Sequence, residues 1–311
     1  IAHEICGKIV VAVGDAEVGR LKALHERGTA NGLAGLRWLT PGEIIEREPH
    51  VRADAGLLVP EEGIADYPGV VSALVHDVIA AGGHGWRIEC TPLDGGPEDL
   101  QCDFLVTCAG LQSDRIARLA GERPTTRIVP FRGDYWKLRD GRESLVRHLV
   151  YPVPGPAFPF LGVHFTRMIG GGVECGPNAV LALDREGYSR FALDLRDASE
   201  AAVFSGLWRF ICRHPVSAVR EIWRATSKAS FARTLQRLVP SISEDDLVPG
   251  ISGVRAQAMK PDGRLVEDFD FIDRPNALHV LNAPSPAATA SLAIGEYIAD
   301  RVGAACGMPS A

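Results

Sequence analysis

A cation inside an apolar strand asks for an anion. Arg255 stands in "GVRAQAM" (253–259), where apolar residues flank it on both sides. A guanidinium taken out of water needs a partner to offset its lost hydration. Its planar fork matches the two oxygens of a carboxylate. Arg255 is therefore either half of a structural ion pair or a clamp for an acidic substrate. His164, in "LGVHFTRM", falls on the strand face opposite Val163 and Phe165. Its imidazole titrates near neutrality and in a pocket could take a hydroxyl proton; a satisfied structural histidine is the competing reading. Tyr151, Tyr135 and Asn282 offer hydrogen bonds, and Lys260, Arg264, Arg132 and Arg167 are further cations in strand contexts. Taken singly, each of these cations reads as a solvated or paired group.

Two small-residue turns suit a cofactor. In "CDFLVTCAGLQSDRIA" (102–117) a buried strand runs into Cys108, Ala109 and Gly110, and Ser113 with Asp114 opens a helix. Such turns let the backbone approach a nucleotide, although no G-x-G-x-x-G occurs in the 311 residues. In "NAPSPAATAS" (282–291), Pro284 leads into Ser285 as N-cap, Pro286 at the first helical position, and Ala287, Ala288 and Thr289 with little side chain over their N–H groups. No acidic residue follows until Glu296, so the positive end of this helix is uncompensated and suits an electron-rich ligand atom. An ordinary capped helix against a sheet accounts for the same residues. The sequence holds no G-x-S-x-G, H-E-x-x-H or Walker loop, which leaves hydrolase and phosphoryl-transfer chemistry without a nucleophile or a phosphate cradle.

The totals agree with a globular protein: 46% hydrophobic, 23% charged, net charge −6. That balance carries no basic footprint for nucleic acid. Seven cysteines without a C-x-x-C argue against a disulfide framework and a zinc site, and point to a reducing, cytoplasmic compartment. No apolar run reaches the ~20 residues of a membrane span.

The elements that must hold these residues are α and β mixed. Apolar periodicity predicts a strand at 5–13, a helix from Asp15 to Gly28 closed by "ANG", a capped helix at Thr40–Glu43, a helix at 68–81, a strand at 103–107 and a helix at 114–120. An antiparallel sheet is expected across 127–176, interrupted by the proline-rich "YPVPGPAFPF". Helices follow over 198–239, then two strands around Pro261-Asp262-Gly263, and a last strand at 277–281 before the C-terminal helix. This predicts an α/β layer from 67–122 and 277–311, interleaved with a sheet-plus-helices region from 1–66 and 123–276.

In order and spacing, "CGKIVVAV", "ALHERGTANG", "EREP", "VTCAGLQSDRIARLAG", "IVPFRGDYWKL", "HLVYPVPGPAFPFLGVHFTRMI", "GPNAVLALDREGY", "GVRAQAMKPDG" and "NAPSPAATAS" resemble the L-2-hydroxyglutarate dehydrogenase/oxidase family, FAD-dependent enzymes of the D-amino-acid-oxidase-like superfamily. The resemblance runs over nearly the whole chain. It implies a flavin fold with a substrate-capping antiparallel sheet, which divides the chain into an FAD-binding part (67–122, 277–311) and a substrate-binding part (1–66, 123–276). It implies oxidation of L-2-hydroxyglutarate to 2-oxoglutarate by hydride transfer from C2 to flavin N5, with electrons leaving to a membrane quinone, an electron-transport chain or O2. By the same likeness Cys108–Gly110 lies near the cofactor and the Ser285–Ala288 helix start faces the flavin N1/C2 carbonyl. Arg255 takes the substrate's α-carboxylate, Arg167 or Lys260 the second carboxylate, and His164 serves as base. A dehydrogenase passing electrons to a quinone would touch the inner face of the membrane peripherally.

The chain departs from the family pattern in two places. The strand–GxGxxG–helix that family members carry would lie upstream of Ile1, and the stretch from Gly82 to Asp103 is short. Two further readings therefore accompany the first: the same scaffold acting on another small 2-hydroxy or amino acid, or a non-catalytic remnant unable to bind FAD.

Overall fold

The computed structural model describes residues 2–66, 86–90, 98–154, 162–189, 191–215 and 227–306. The helix expected at 68–81 and most of the proline-rich stretch lie outside them.

Sixteen strands in the described residues run in chain order: β1 His3–Glu4, β2 Lys8–Ala12, β3 Arg37–Leu39, β4 Ala55–Val59, β5 Ile64–Ala65, β6 Trp86–Cys90, β7 Glu98–Cys102, β8 Leu105–Thr107, β9 Arg127–Leu138, β10 Leu149–Pro152, β11 His164–Arg167, β12 Val173–Gly176, β13 Val180–Leu181, β14 Leu247–Met259, β15 Asp270–Arg274 and β16 Ala277–Asn282. The helices that matter here are α1 Asp15–Ala30, α2 Pro41–Arg47, α3 Ser113–Leu119, α4 Leu195–Val203, α5 Ser205–Arg213, α6 Lys228–Leu235 and α7 Ser291–Ala305.

The larger sheet has nine strands in the order β13-β9-β12-β11-β10-β2-β4-β3, with β14 along the other edge of β9. Alternation gives it two unlike faces. One carries Ile9, Val11, Val150, Phe165, Cys175 and Leu138, packed with Ile44 of α2 and Phe231 and Leu235 of α6 in a single buried cluster. Burying several such side chains, each worth about 1.5–3 kcal/mol, makes this the main apolar core. The opposite face is covered in two places. Near β2, Val10, Ala12 and Leu57 meet Leu21 of α1. Near the start of β9, Val129, Phe131 and Met259 meet Ala201, Leu207 and Phe210 of α4 and α5. Between those two patches the same face is polar. The registers Val150↔Phe165, His164↔Gly176, Glu174↔Lys137 and Arg255↔Phe131 place Tyr151, His164, Thr166, Glu174, Tyr135 and Arg255 on it together.

The smaller sheet, β15-β16-β8, pairs β16 parallel to β8, with Ala277 opposite Leu105 and His279 opposite Thr107. Leu278 and Val280 face Ile294, Ile298 and Val302 of α7, and Ser113 at the start of α3 donates to the Leu281 carbonyl (3.0 Å). The turns that follow β8 and β16 thus leave the sheet at the same end.

One local expectation is corrected, and two strands flank the Pro261–Gly263 turn as read. They do not pair with one another beyond a single Met259–Leu265 bridge; the second, β15, pairs with β16. Ser285 is not an N-cap: the Ser285–Pro286 peptide is cis, Ala287–Ala290 form a turn closed by Ala290 N–H to the Pro286 carbonyl (3.3 Å), and α7 starts at Ser291 with Ala290 as its N-cap. The capping box at Thr40 and Glu43 forms as read, each side chain bonded to the other's backbone N–H.

Candidate active site

The parallel pairing of β8 and β16 opens a cavity of about 610 Å³ at their carboxyl ends, where open α/β sheets bind ligands. Cys108, Gly110, Asn282, Ser285 and Ala287 line it from the small sheet, and Arg255, with Ala256 and Gln257, from β14 of the large one. The two small-residue turns and the strand arginine, far apart in sequence, share one space.

The turn after β8 is built for close approach. Gly110 has φ +49°, the left-handed region that favours glycine, and a Cβ there would meet no atom within 4 Å. Burial pushes the Cys108 thiol up, so it sits in the cavity as a neutral, small group. On the other side, no acidic residue occupies the first turn of α7 and no side chain caps it, so its positive end is balanced by nothing of its own. Asn282 is held by its amide, which donates to the backbone carbonyls of Asp268 (2.7 Å) and Val266 (3.4 Å).

Across the polar face the rings of Tyr151 and His164 stack, 3.9 Å between centroids and 17° from parallel. Tyr151 shares a hydrogen bond with Thr166 (3.2 Å), and Lys8 lies over the Tyr151 ring at 4.7 Å. His164 Nδ1 lies 2.9 Å from the Gly162 carbonyl. A carbonyl only accepts, so Nδ1 carries the proton and Nε2 holds the free lone pair. Burial, with Lys8 and Arg255 nearby, pushes this histidine down to about 4, and it is neutral at physiological pH. Burial also lowers Arg255 from its ordinary value, partly countered by Tyr135. Tyr135 and Tyr151 are both raised, chiefly by burial.

Two expected residues are elsewhere. Arg167 lies one position out of phase with His164 and Thr166, on the other strand face, where its guanidinium holds Glu4 (2.9 Å) and the Arg147 carbonyl (3.3 Å). Lys260 donates to Thr126 Oγ1 (2.7 Å) and Asp270 (2.9 Å), beside a different cleft. Pro284, Pro286, Ala288 and Thr289 belong to the turn beside the cavity; Thr289 Oγ1 closes that turn on the Pro286 carbonyl (3.1 Å). Sequence reasoning missed Lys8, Thr166 and Glu174. The period-2 phase shared by His164 and Thr166 was the available signal for Thr166, whereas Lys8 joins only through the parallel β2–β10 pairing. Among the described residues no His/Cys/Asp/Glu group is arranged to hold a metal, and no helix is long and apolar enough to cross a membrane.

A flavin fits this arrangement. The two turns offer small residues, Cys108 and Gly110 on one side and Ala283, Ser285 and Ala287 on the other, beside apolar Leu265, Val280, Ile294 and Ile298, and the uncompensated N-terminus of α7 follows the second turn. These residues would hold FAD on its flavin side. Comparison with known proteins agrees. A family model described as FAD-dependent oxidoreductase matches residues 1–301. The L-2-hydroxyglutarate dehydrogenase of Salmonella houtenae is 40% identical over 315 residues, 97% of this chain and 74% of that protein. The human mitochondrial L-2-hydroxyglutarate dehydrogenase is 41% identical over 329 residues, 97% of this chain and 71% of that one. Among solved structures, L-α-glycerophosphate oxidase from Mycoplasma pneumoniae with FAD bound superposes with a TM-score of 0.64 at 20% identity, over 94% of this chain and 71% of its own. L-Proline dehydrogenase from P. horikoshii gives 0.64 at 15%, over 97% and 73%. With a matched family model over almost its whole length and relatives at this identity, the chain belongs to the FAD-dependent oxidoreductase family of the D-amino-acid-oxidase (DAO) type.

Proposed function

We propose that this protein oxidises L-2-hydroxyglutarate to 2-oxoglutarate with FAD. The observation that carries the reading is the shared cavity, in which a strand arginine meets the two turns suited to a flavin. The substrate follows from relatives of that name at 40–41% identity across nearly all of the chain.

Bound FAD supplies the acceptor for the C2 hydride. The chain's own residues bind the acid and move its hydroxyl proton. Arg255 takes the α-carboxylate in its fork. His164, already neutral and with Nε2 free, accepts the C2 hydroxyl proton, while the Gly162 carbonyl and the Tyr151 ring hold the imidazole in place. The substrate is a dianion, and with Arg167 and Lys260 tied elsewhere, Lys8 beside Tyr151 is the cation for the distal carboxylate. Its existing partner, Glu62 at 3.1 Å, is partly solvent-exposed and exchangeable. Asn282 orders the cavity wall. The cytoplasm, with peripheral contact to a membrane quinone, is the setting this chemistry suits, and O2 is the alternative acceptor.

Anaerobic titration tests the reading. L-2-Hydroxyglutarate should bleach the flavin of the purified protein, and the D-enantiomer, L-malate, L-lactate and glycine should not. Bleaching by one of those instead would assign the scaffold to another small acid or amino acid. Failure of the chain to take up FAD in a fluorescence titration would mark it as a non-catalytic relative.

A further inference from the structure

We propose that Arg185 is the positioning residue that fixes the cofactor-facing turn after β8 in its cavity-lining shape. This rests on the reading of the cavity as a flavin site. Arg185 lies outside that cavity and is only 3% exposed. Its Nη1 donates to the Leu111 carbonyl (2.6 Å) and to Asp114 Oδ1 (2.6 Å), and its Nη2 to Asp114 Oδ2 (3.3 Å) and the Ile128 carbonyl of β9 (3.1 Å). One guanidinium thereby joins three things: the middle of the 3₁₀ turn Gly110–Gln112, the buried carboxylate in the first turn of α3, and the long strand of the substrate-side sheet. The neighbouring Glu186 reaches the same turn, accepting from Gln112 Nε2 (3.0 Å).

Arg185 is itself held rigidly. Its backbone N–H donates to Asp197 Oδ2 (2.6 Å), and its segment is a closed turn in which Gly187 N–H bonds the Asp184 carbonyl (3.3 Å). A Cβ on Gly187 would lie 2.5 Å from the Ala192 Cβ, so the turn closes only with glycine there. Asp114 is fully buried, and its charge is met by Arg185 and Arg118. Removing the guanidinium leaves that carboxylate short of a partner and frees the Leu111 carbonyl, one residue beyond Gly110. Gly110 has no side chain of its own to resist the movement. The turn then loses its registration against the cavity while the apolar cores, which Arg185 does not enter, remain.

The test compares Arg185→Lys and Arg185→Met with Glu200→Gln in the full chain. Glu200 belongs to the same ionic network, with Arg115 at 2.8 Å and Arg185 at 3.6 Å, but does not touch the turn. Two readouts are needed: FAD affinity by fluorescence, and amide hydrogen exchange across 109–114 without added flavin. The expected result is an FAD Kd raised about tenfold or more in both Arg185 variants, the scale of losing charge-assisted hydrogen bonds, with faster exchange at 109–114. Glu200→Gln should lower thermal stability while leaving both readouts as in the parent. Lysine, which keeps the charge but not the fork, should rescue only part of the effect. Unchanged exchange at 109–114 in the Arg185 variants would overturn the proposal, and so would unchanged Kd in a parent that binds FAD. Faster exchange in a chain that binds no flavin would support the positioning role and refute the cofactor reading instead.

Discussion

Acidification from about pH 7.5 to about pH 5 should cost the fold about 2 kcal/mol through His164 alone. The buried imidazole titrates near 4 in the folded chain and near 6.5 when exposed. Below 6.5 the unfolded chain therefore binds a proton that the native chain refuses. Stability from this group is complete above pH 6.5 and is lost as pH falls toward 4. Of that 2.5-unit window about 1.5 units lie above pH 5, and at 1.36 kcal/mol per unit they amount to about 2 kcal/mol. His164→Asn keeps an N–H for the Gly162 carbonyl and cannot titrate. Urea unfolding of both proteins at the two pH values isolates the effect: the parent should lose about 2 kcal/mol more than the variant. Equal losses would mean that His164 is not held neutral by burial and would remove the basis for its role as base. The same shift predicts that kcat/KM lacks an acid limb near 6.5 from this residue, since the free enzyme already carries it deprotonated.

Arg255→Leu should lower kcat/KM for L-2-hydroxyglutarate by about two orders of magnitude, the cost of losing a charge-assisted contact to the substrate carboxylate, read by steady-state kinetics. Lys8→Met should raise KM for that dicarboxylate while sparing a monocarboxylate such as L-lactate, and equal effects on both would exclude Lys8 from the distal site. Arg167→Ala, which breaks an exposed pair with Glu4, should leave KM unchanged and shift stability by no more than about 1 kcal/mol in thermal melts. Gly110→Ala, placing a Cβ at φ +49°, should destabilise by about 1–2 kcal/mol and weaken FAD uptake in a fluorescence titration.

Much of the architecture was legible because local signals and tertiary packing agree. Thr40 and Glu43 form the box their spacing announces, and Val18, Leu21 and Leu24 mark the packed stripe of α1. The pairing of "CAG" with "NAPSP" followed from resemblance and not from local pattern. No short-range rule says that β16 lies parallel to β8. At Ser285 the local rule misleads: a serine before a proline reads as a cap, yet the backbone bends through a cis peptide and the helix begins six residues later. Arg167 shows the sharper limit. Its charge was visible, but strand phase decides which face receives it, and the phase of His164 and Thr166 sends it to Glu4. Lys8 was hidden for the converse reason, since only the register Tyr151↔Val10 brings β2 beside the stacked rings.

The parallel seam between β8 and β16 also dictates when the cavity at its carboxyl end can exist. Thr107 and His279, bonded across it at 3.0 Å, are 172 residues apart. At ribosomal rates of about 5–20 residues per second, roughly 10–35 s separate the emergence of the first turn from that of its partner. During that interval the cavity proposed for the flavin has only one of its two walls. On the proposed assignment of that cavity to the flavin, capture of the cofactor waits for β16 to emerge. On the same assignment, a chain stalled before Asn282 would lack the β16 wall that the cofactor needs.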